Sequence, residues 1–309
     1  MKKIIFVLMN LVTTLAMAQT PAKADLRKQL FEGLKTCDQS VYTNEEYLAV
    51  GMPITGIRTG HVKVISLNQP SKVMDFSTSD RVVDIKIQKD SLYILTLTTL
   101  EVWSLSQNKN LFVHSSHPYV TVGSSWRQKA SGFILKDNLA VISHGTLGFS
   151  ILDLASGAFV KTLNMPTVSS AQDIDLVNAN TAVVAVDNDD EAQFRGMYLM
   201  DLQRMEIIKR IPIDNAFPSA VRVLDNNRLM MIYFNAVWKF DLNAALNSSG
   251  EPLPSRRSWK FPNLFIVDMR GKVAFDDKNL YACFNNDDAQ TGARKIQPLA
   301  IDLATIMLK

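Results

Sequence analysis

The chain has 309 residues, 47% of them hydrophobic and 20% charged, with 33 Lys and Arg facing 30 Asp and Glu. That near balance offers no electrostatic reason for binding nucleic acid or an anionic membrane, and the ordinary apolar content argues against disorder. No G-x-S-x-G, Walker A, G-x-G-x-x-G, C-x-x-C or H-E-x-x-H motif occurs, so the common nucleophilic, nucleotide, redox and zinc chemistries lose their sequence signatures.

Lys2 and Lys3 precede an apolar run from Ile4 through Leu15, and Ala16-Met17-Ala18 then offers small residues to a signal peptidase. Residues 1–18 therefore read as a secretory signal of bacterial style, cleaved after Ala18, with an uncleaved anchor as the alternative. No cysteine follows the run, and no later stretch nears the ~18 continuous apolar residues a spanning helix needs. The expected product is periplasmic or secreted, without a membrane span. Its 31 basic residues face 30 acidic ones once Lys2 and Lys3 are gone.

Residues 19–40 form a separate N-terminal segment. Ala24 to Thr36 reads as a short helix with Leu26, Leu30, Phe31 and Leu34 on one side. It either packs on the main domain or serves as a partner-binding or dimerising helix. Cys37 and Cys283 are the two cysteines, 246 residues apart. In an oxidising compartment they are a disulfide candidate, and two separate buried thiols is the other reading.

From residue 41 to the end the sequence repeats. Four segments end on Asp-Leu (Asp153-Leu154, Asp201-Leu202, Asp241-Leu242, Asp302-Leu303), and two carry Ser-Leu in the same place (Ser66-Leu67, Ser104-Leu105). The six leucines lie 38, 49, 48, 40 and 61 residues apart, the period of a propeller blade with loop insertions. Polar turns such as Lys89-Asp90-Ser91, Lys136-Asp137-Asn138 and Asp277-Lys278-Asn279 precede short β-rich runs. Asp, Asn and Ser suit tight hairpins because they tolerate left-handed backbone and bond their own main chain. With a strand before each turn and one after each Asp-Leu, every unit holds four antiparallel strands. The expected fold is all-β, a β-propeller of six four-stranded blades with a short N-terminal helix. The innermost strand of the first blade comes from Ser40 to Thr43. Seven blades stay open if the N-terminal region supplies more strand, and tandem sandwiches explain the period less well.

The third unit, with Leu139 to Ile142, Gly148 to Leu154 and Gly157 to Leu163, resembles the bacterial propeller repeats of the YVTN and LVIVD type. The resemblance covers nearly all of the chain after residue 18 as a degenerate pattern, and WD40 signatures are absent. It implies a fold and leaves function open, because propellers host binders, scaffolds and unrelated enzymes.

Candidate chemistry falls in three places. The acidic loops Asp187-Asn188-Asp189-Asp190-Glu191 and Asn285-Asn286-Asp287-Asp288 follow equivalent strands and so project from one face of the disc. Asp187, Asp189 and Glu191 are hard-cation ligands in type, making Ca²⁺ the one metal to consider, although Ala192 stands where a calcium loop needs Gly. His144 occupies the matching loop of the third blade, as a metal ligand, a base or a surface residue. Asp84, Asp173, Asp175, Arg222 and Asp268 lie on inner strands, where they either line the central channel for chemistry or satisfy neighbouring N–H groups. Trp126, beside Arg127 in a polar connection, is a candidate peptide or carbohydrate contact. Asn243 to Ser258 reads as an interaction loop.

The leading expectation is an exported, non-enzymatic propeller that binds or scaffolds a protein, peptide or envelope component, with no cofactor required. The alternative is a metal-assisted hydrolase or lyase at the channel mouth.

Overall fold

A computed structural model describes residues 23–38, 40–55, 59–165, 169–188, 194–213, 218–225, 228–233, 236–249, 256–260, 264–266, 271–287 and 294–307, with backbone alone at 55, 256–260, 264–266, 286–287, 294–295 and 307. Residues 1–18, Asp189 to Glu191, Asp268 and Asp288 lie outside these residues.

The chain folds as six antiparallel sheets arranged as a propeller ring. Blade one holds β1 (Val41–Thr43), β2 (Tyr47–Thr55), β3 (Thr59–Ser66) and β4 (Val73–Ser77). Blade two holds β5 (Val82–Gln88), β6 (Ser91–Thr96), β7 (Thr99–Ser104) and β8 (Lys109–Ser115). Blade three holds β9 (Gly132–Lys136), β10 (Leu139–Ser143), β11 (Phe149–Asp153) and β12 (Phe159–Leu163). Blade four holds β13 (Ser170–Asn178), β14 (Thr181–Asp187), β15 (Gly196–Asp201) and β16 (Glu206–Pro212). Blade five holds β17 (Pro218–Val223), β18 (Arg228–Tyr233), β19 (Ala236–Asp241) and β20 (Arg256–Lys260).

Blade six departs from the expected four strands. β21 (Leu264–Ile266) and β22 (Ala274–Phe275) share the innermost position along β23 (Asn279–Asp287), and β24 (Arg294–Asp302) pairs its other edge. The chain then leaves through helix α3 (Leu303–Met307), preceded in order by α1 (Lys23–Glu32) and α2 (Leu242–Asn247).

The Asp-Leu and Ser-Leu repeat has a physical cause. The leucine N–H donates to a carbonyl in the turn between the blade's first two strands: Leu67 to Glu46, Leu105 to Asp90, Leu154 to Asn138, Leu202 to Asn180 and Leu303 to Lys278. The preceding Asp or Ser accepts from N–H groups two or three residues on. Asp153 takes Ala155 and Ser156, Asp201 takes Gln203 and Arg204, and Ser104 takes Gln107. Either residue type caps the turn, so they interchange. At Asp241 the same cap accepts from Ala244 N–H and starts α2, so the expected loop from Asn243 opens as a helix with Leu242 and Ala245 buried. Of the hairpin residues, Asp137 adopts φ 52° as its type allows, while in blade two Lys89 takes the left-handed position at φ 53°.

Six apolar clusters, one at each blade junction, make up the core. Second strands such as β14 are buried on both faces, while the outer β4 alternates buried and exposed positions and β12 is mostly exposed. Trp103 reaches across a junction to Phe76, with ring centres 5.5 Å apart.

The junction between blades six and one is closed by the N-terminal segment. Phe31 of α1 meets Tyr281 edge-on at 5.5 Å, Arg27 pairs with Asp276 at 2.6 Å, and Cys37 is disulfide-bonded to Cys283 with Cα atoms 5.9 Å apart. The apolar side of α1 is thus spent on the ring itself, with Ala24 and Phe31 buried. The helix stops earlier than its expected end at Thr36: Gly33 N–H donates back to Gln29, and Leu34 N–H to Phe31 in a tighter turn.

Candidate functional site at the channel axis and its mouth

Each inner strand is the last of its sheet, so its axial N–H groups need acceptors from outside the sheet. The inner-strand aspartates supply them from the preceding blade. Asp84 on β5 accepts from Ile85 N–H at 2.8 Å and from Phe133 N–H on β9 at 3.3 Å. Asp173 on β13 accepts from Val221 N–H on β17 at 3.0 Å. Asp175 accepts from Leu176 N–H at 3.0 Å and, two residues along β17, from Val223 N–H at 2.8 Å. Gly132 begins β9 where a side chain would strike Asp173 Oδ1, which explains the missing Cβ there.

Three cations complete the cluster. Arg222 Nη1 lies 2.6 Å from Asp173 Oδ2, and its Nε donates to Val273 O at 3.0 Å. Lys272, wholly buried, reaches Asp173 Oδ1 at 3.1 Å and donates to Gln172 O at 3.0 Å. Lys86 lies 3.6 Å from Asp84 and over the Phe133 ring at 5.8 Å. Burial pushes the Asp173 carboxyl up, but Arg222 and Lys272 outweigh it and hold the group below the usual carboxylate range. Burial pulls the Lys272 ammonium down, and Asp173 and Asp84 offset this only in part. Asp175 goes the other way, raised by burial against the pull of Arg222 and Lys86. Arg222 sits above its ordinary value because Asp173, Asp175 and Asp84 outweigh its burial.

Lys86 and Lys272 escaped the sequence reading. A lysine in an inner strand looks like a solvated position, and nothing in Gly271-Lys272-Val273 marks a buried charge. The usable signal was the count of inner-strand aspartates, which demands compensating cations at the same depth.

A cavity of about 710 Å³ opens where the inner strands end, on the face carrying the first turn of each blade. Its wall joins Tyr42 of blade one, Lys86 of blade two, Arg222 and Leu224 of blade five, Phe275 of blade six and Ala304 of α3. Lys86 and Arg222 line it. Asp84, Asp173 and Asp175 do not. The described channel carboxylates therefore converge on backbone N–H groups and buried cations instead of on one solvent-filled point.

The other expected site residues lie elsewhere. Asp187 ends β14 and Asp287 ends β23, equivalent strands whose ends lie on the opposite face. Asp187 is buried rather than solvated: its Oδ1 accepts from Asn188 N–H at 2.8 Å, with Arg195 Nε 3.8 Å away. The rest of the Ca²⁺ set (Asp189, Asp190, Glu191, Asp288 and the Asp287 side chain) falls outside the described residues. His144 is wholly buried because the connection after blade two folds over its loop. Its Nε2 donates to Ser116 O at 2.9 Å, and its ring meets His117 at 4.8 Å. Trp126 is 52% exposed beside Arg127, whose guanidinium carbon lies 5.4 Å from the ring centre.

No protein-family model matches the chain, and no curated protein matches it in sequence. By structure, 1131 solved chains match, a number that marks a widely used fold. One of these, the U3-55K structure, is similar with a TM-score of 0.59 and 11% identity, over 88% of this chain and 83% of that one. Identity so low speaks for the propeller fold alone.

Proposed function

We propose that this chain is an exported bacterial propeller of the YVTN and LVIVD kind that acts, without catalysis of its own, as a binding or scaffold module for a protein, peptide or envelope component. One observation carries the reading. The described carboxylates of the inner strands, Asp84, Asp173 and Asp175, are each bonded to the inner strand of the next blade and none lines the cavity at the channel mouth, while Asp276, which does line it, is held by Arg27 and Tyr281. A general base must come within reach of substrate, and the three inner-strand groups stand off the cavity wall, bonded into the fold. The hydrolase or lyase reading is not favoured on the same ground, for those of its residues that are described. Export is supported by the pattern of residues 1–18 and by the disulfide, which persists in oxidising compartments. No described helix is long and apolar enough to cross a membrane.

The test is fractionation of the tagged mature chain from the producing cells, alongside Asp175→Asn. We expect co-elution with a stoichiometric partner in both forms. Elution alone in every fraction, together with turnover of an envelope substrate that Asp175→Asn abolishes, would replace binding by catalysis.

A further inference from the structure

We infer that the 710 Å³ cavity at the channel mouth is a binding site for an organic monocarboxylate on a short apolar body, from either a free acid or the C-terminus of a peptide. The inference deepens the binding reading above and rests on it. The volume falls within the roughly 300–1,000 Å³ of small-molecule sites. Polarity sets the ligand. The two cations of the axial cluster that reach the cavity keep donors in hand. Arg222 spends Nε on Val273 O and Nη1 on Asp173 and Val221 O, while Nη2 has no hydrogen bond among the described residues. Lys86 stands 3.6 Å from Asp84, beyond hydrogen-bond length, with its side chain 18% exposed. Their counter-carboxylates, Asp84 and Asp173, do not line the cavity and accept from N–H groups of the next blade.

Of the rim carboxylates, Asp225 is matched by Arg228 at 2.6 Å and Asp276 by Arg27 at 2.6 Å, and Asp277 also lines the wall. A planar carboxylate fits a guanidinium edge plus an ammonium, whereas a phosphate dianion would bring a second charge toward the rim carboxylates, where the further lining cation, Arg228, is already paired with Asp225. The remaining wall, including Val41, Val223, Leu224, Phe275 and Leu303, suits a hydrocarbon body.

The test is calorimetric titration of the mature chain with hexanoate, with N-acetyl-leucyl-valine as the free acid, and with the same dipeptide as its C-terminal amide. We expect an acid to bind and the amide to bind about tenfold more weakly or not at all, the order of one charge-assisted contact. Binding of hexanoate points to a free acid as the source, and binding of the dipeptide acid alone to a chain terminus. Lys86→Gln should weaken the acid about tenfold, in line with one lost charge-assisted contact. Ala304→Trp, built on an exposed wall residue away from the buried charges, should abolish binding and decides the matter if Lys86→Gln does not fold. Equal affinity for acid and amide, binding untouched by Ala304→Trp, or no heat from any probe would overturn the inference. Partner co-elution that persists beside such a result leaves the wider reading standing, and loss of both fails them together.

Discussion

Asp173 holds two blades and two cations at once, and its removal should be the costliest single change in the ring. Asp173→Ala would leave Lys272 fully buried without its counter-ion and strip Arg222 of its closest one. Breaking a buried pair from one side costs about 3–5 kcal/mol, so urea unfolding should show a loss of that order, and a variant as stable as the parent would contradict the assignment. His117 gives a second residue-scale expectation. It is buried against His144 and Tyr119, its Nδ1 accepts from Tyr119 N–H at 3.1 Å, and burial holds it below the ordinary 6.5. The folded chain therefore binds this proton less readily than the unfolded chain does. That contribution to stability is intact above about pH 6.5 and is lost as the pH falls below it. The melting temperature should drop less on acidification in His117→Phe than in the parent, and superimposable pH profiles would sink the idea. At this scale the sequence displayed the inner-strand aspartates openly, together with their bland role as acceptors. It hid His144, because the burial of that residue depends on a connection folding back over it.

At the scale of elements, the strands were the most legible part. Turn chemistry and β-rich runs recur blade by blade, and the Asp-Leu and Ser-Leu pattern reflects a hydrogen bond seen in five of the blades among the described residues. What the sequence blurred are places where the pattern bends to a local cap: α1 ending at Gly33, α2 starting from Asp241, and the split inner strand of blade six. The closure between blades six and one is where element-scale stability concentrates. Blade one and blade six share no strand, and α1, the Arg27–Asp276 pair and the Cys37–Cys283 bond stand in for that clasp. Cross-linking residues 246 apart restricts a long unfolded loop, worth about 2–5 kcal/mol. Replacing both cysteines by serine should lower unfolding stability by that amount, and reduction of the parent should match the double variant. Unchanged stability under either treatment would mean the ring closes by packing alone.

For the whole molecule, the ring was readable because a blade cannot bury both faces alone, so the repeat dictates its own stacking. The candidate site was not readable, since its wall draws on four blades and a C-terminal helix, with Val41 and Ala304 at opposite ends of the sequence. No local motif can announce a surface built that way. The proposed export is tested at this scale as well: the mature chain should begin at Gln19 on N-terminal sequencing, and retention of residues 1–18 would contradict it. The central claim, that the disc works by binding through one face, is tested most directly by photo-crosslinking from three positions in producing cells. A photoreactive residue at Trp126 samples one face, one at Asp277 the cavity face, and one at Val160 the outer rim. The account predicts a discrete adduct from a single face and none from Val160. Equal adducts from all three positions, or none from any, would contradict it.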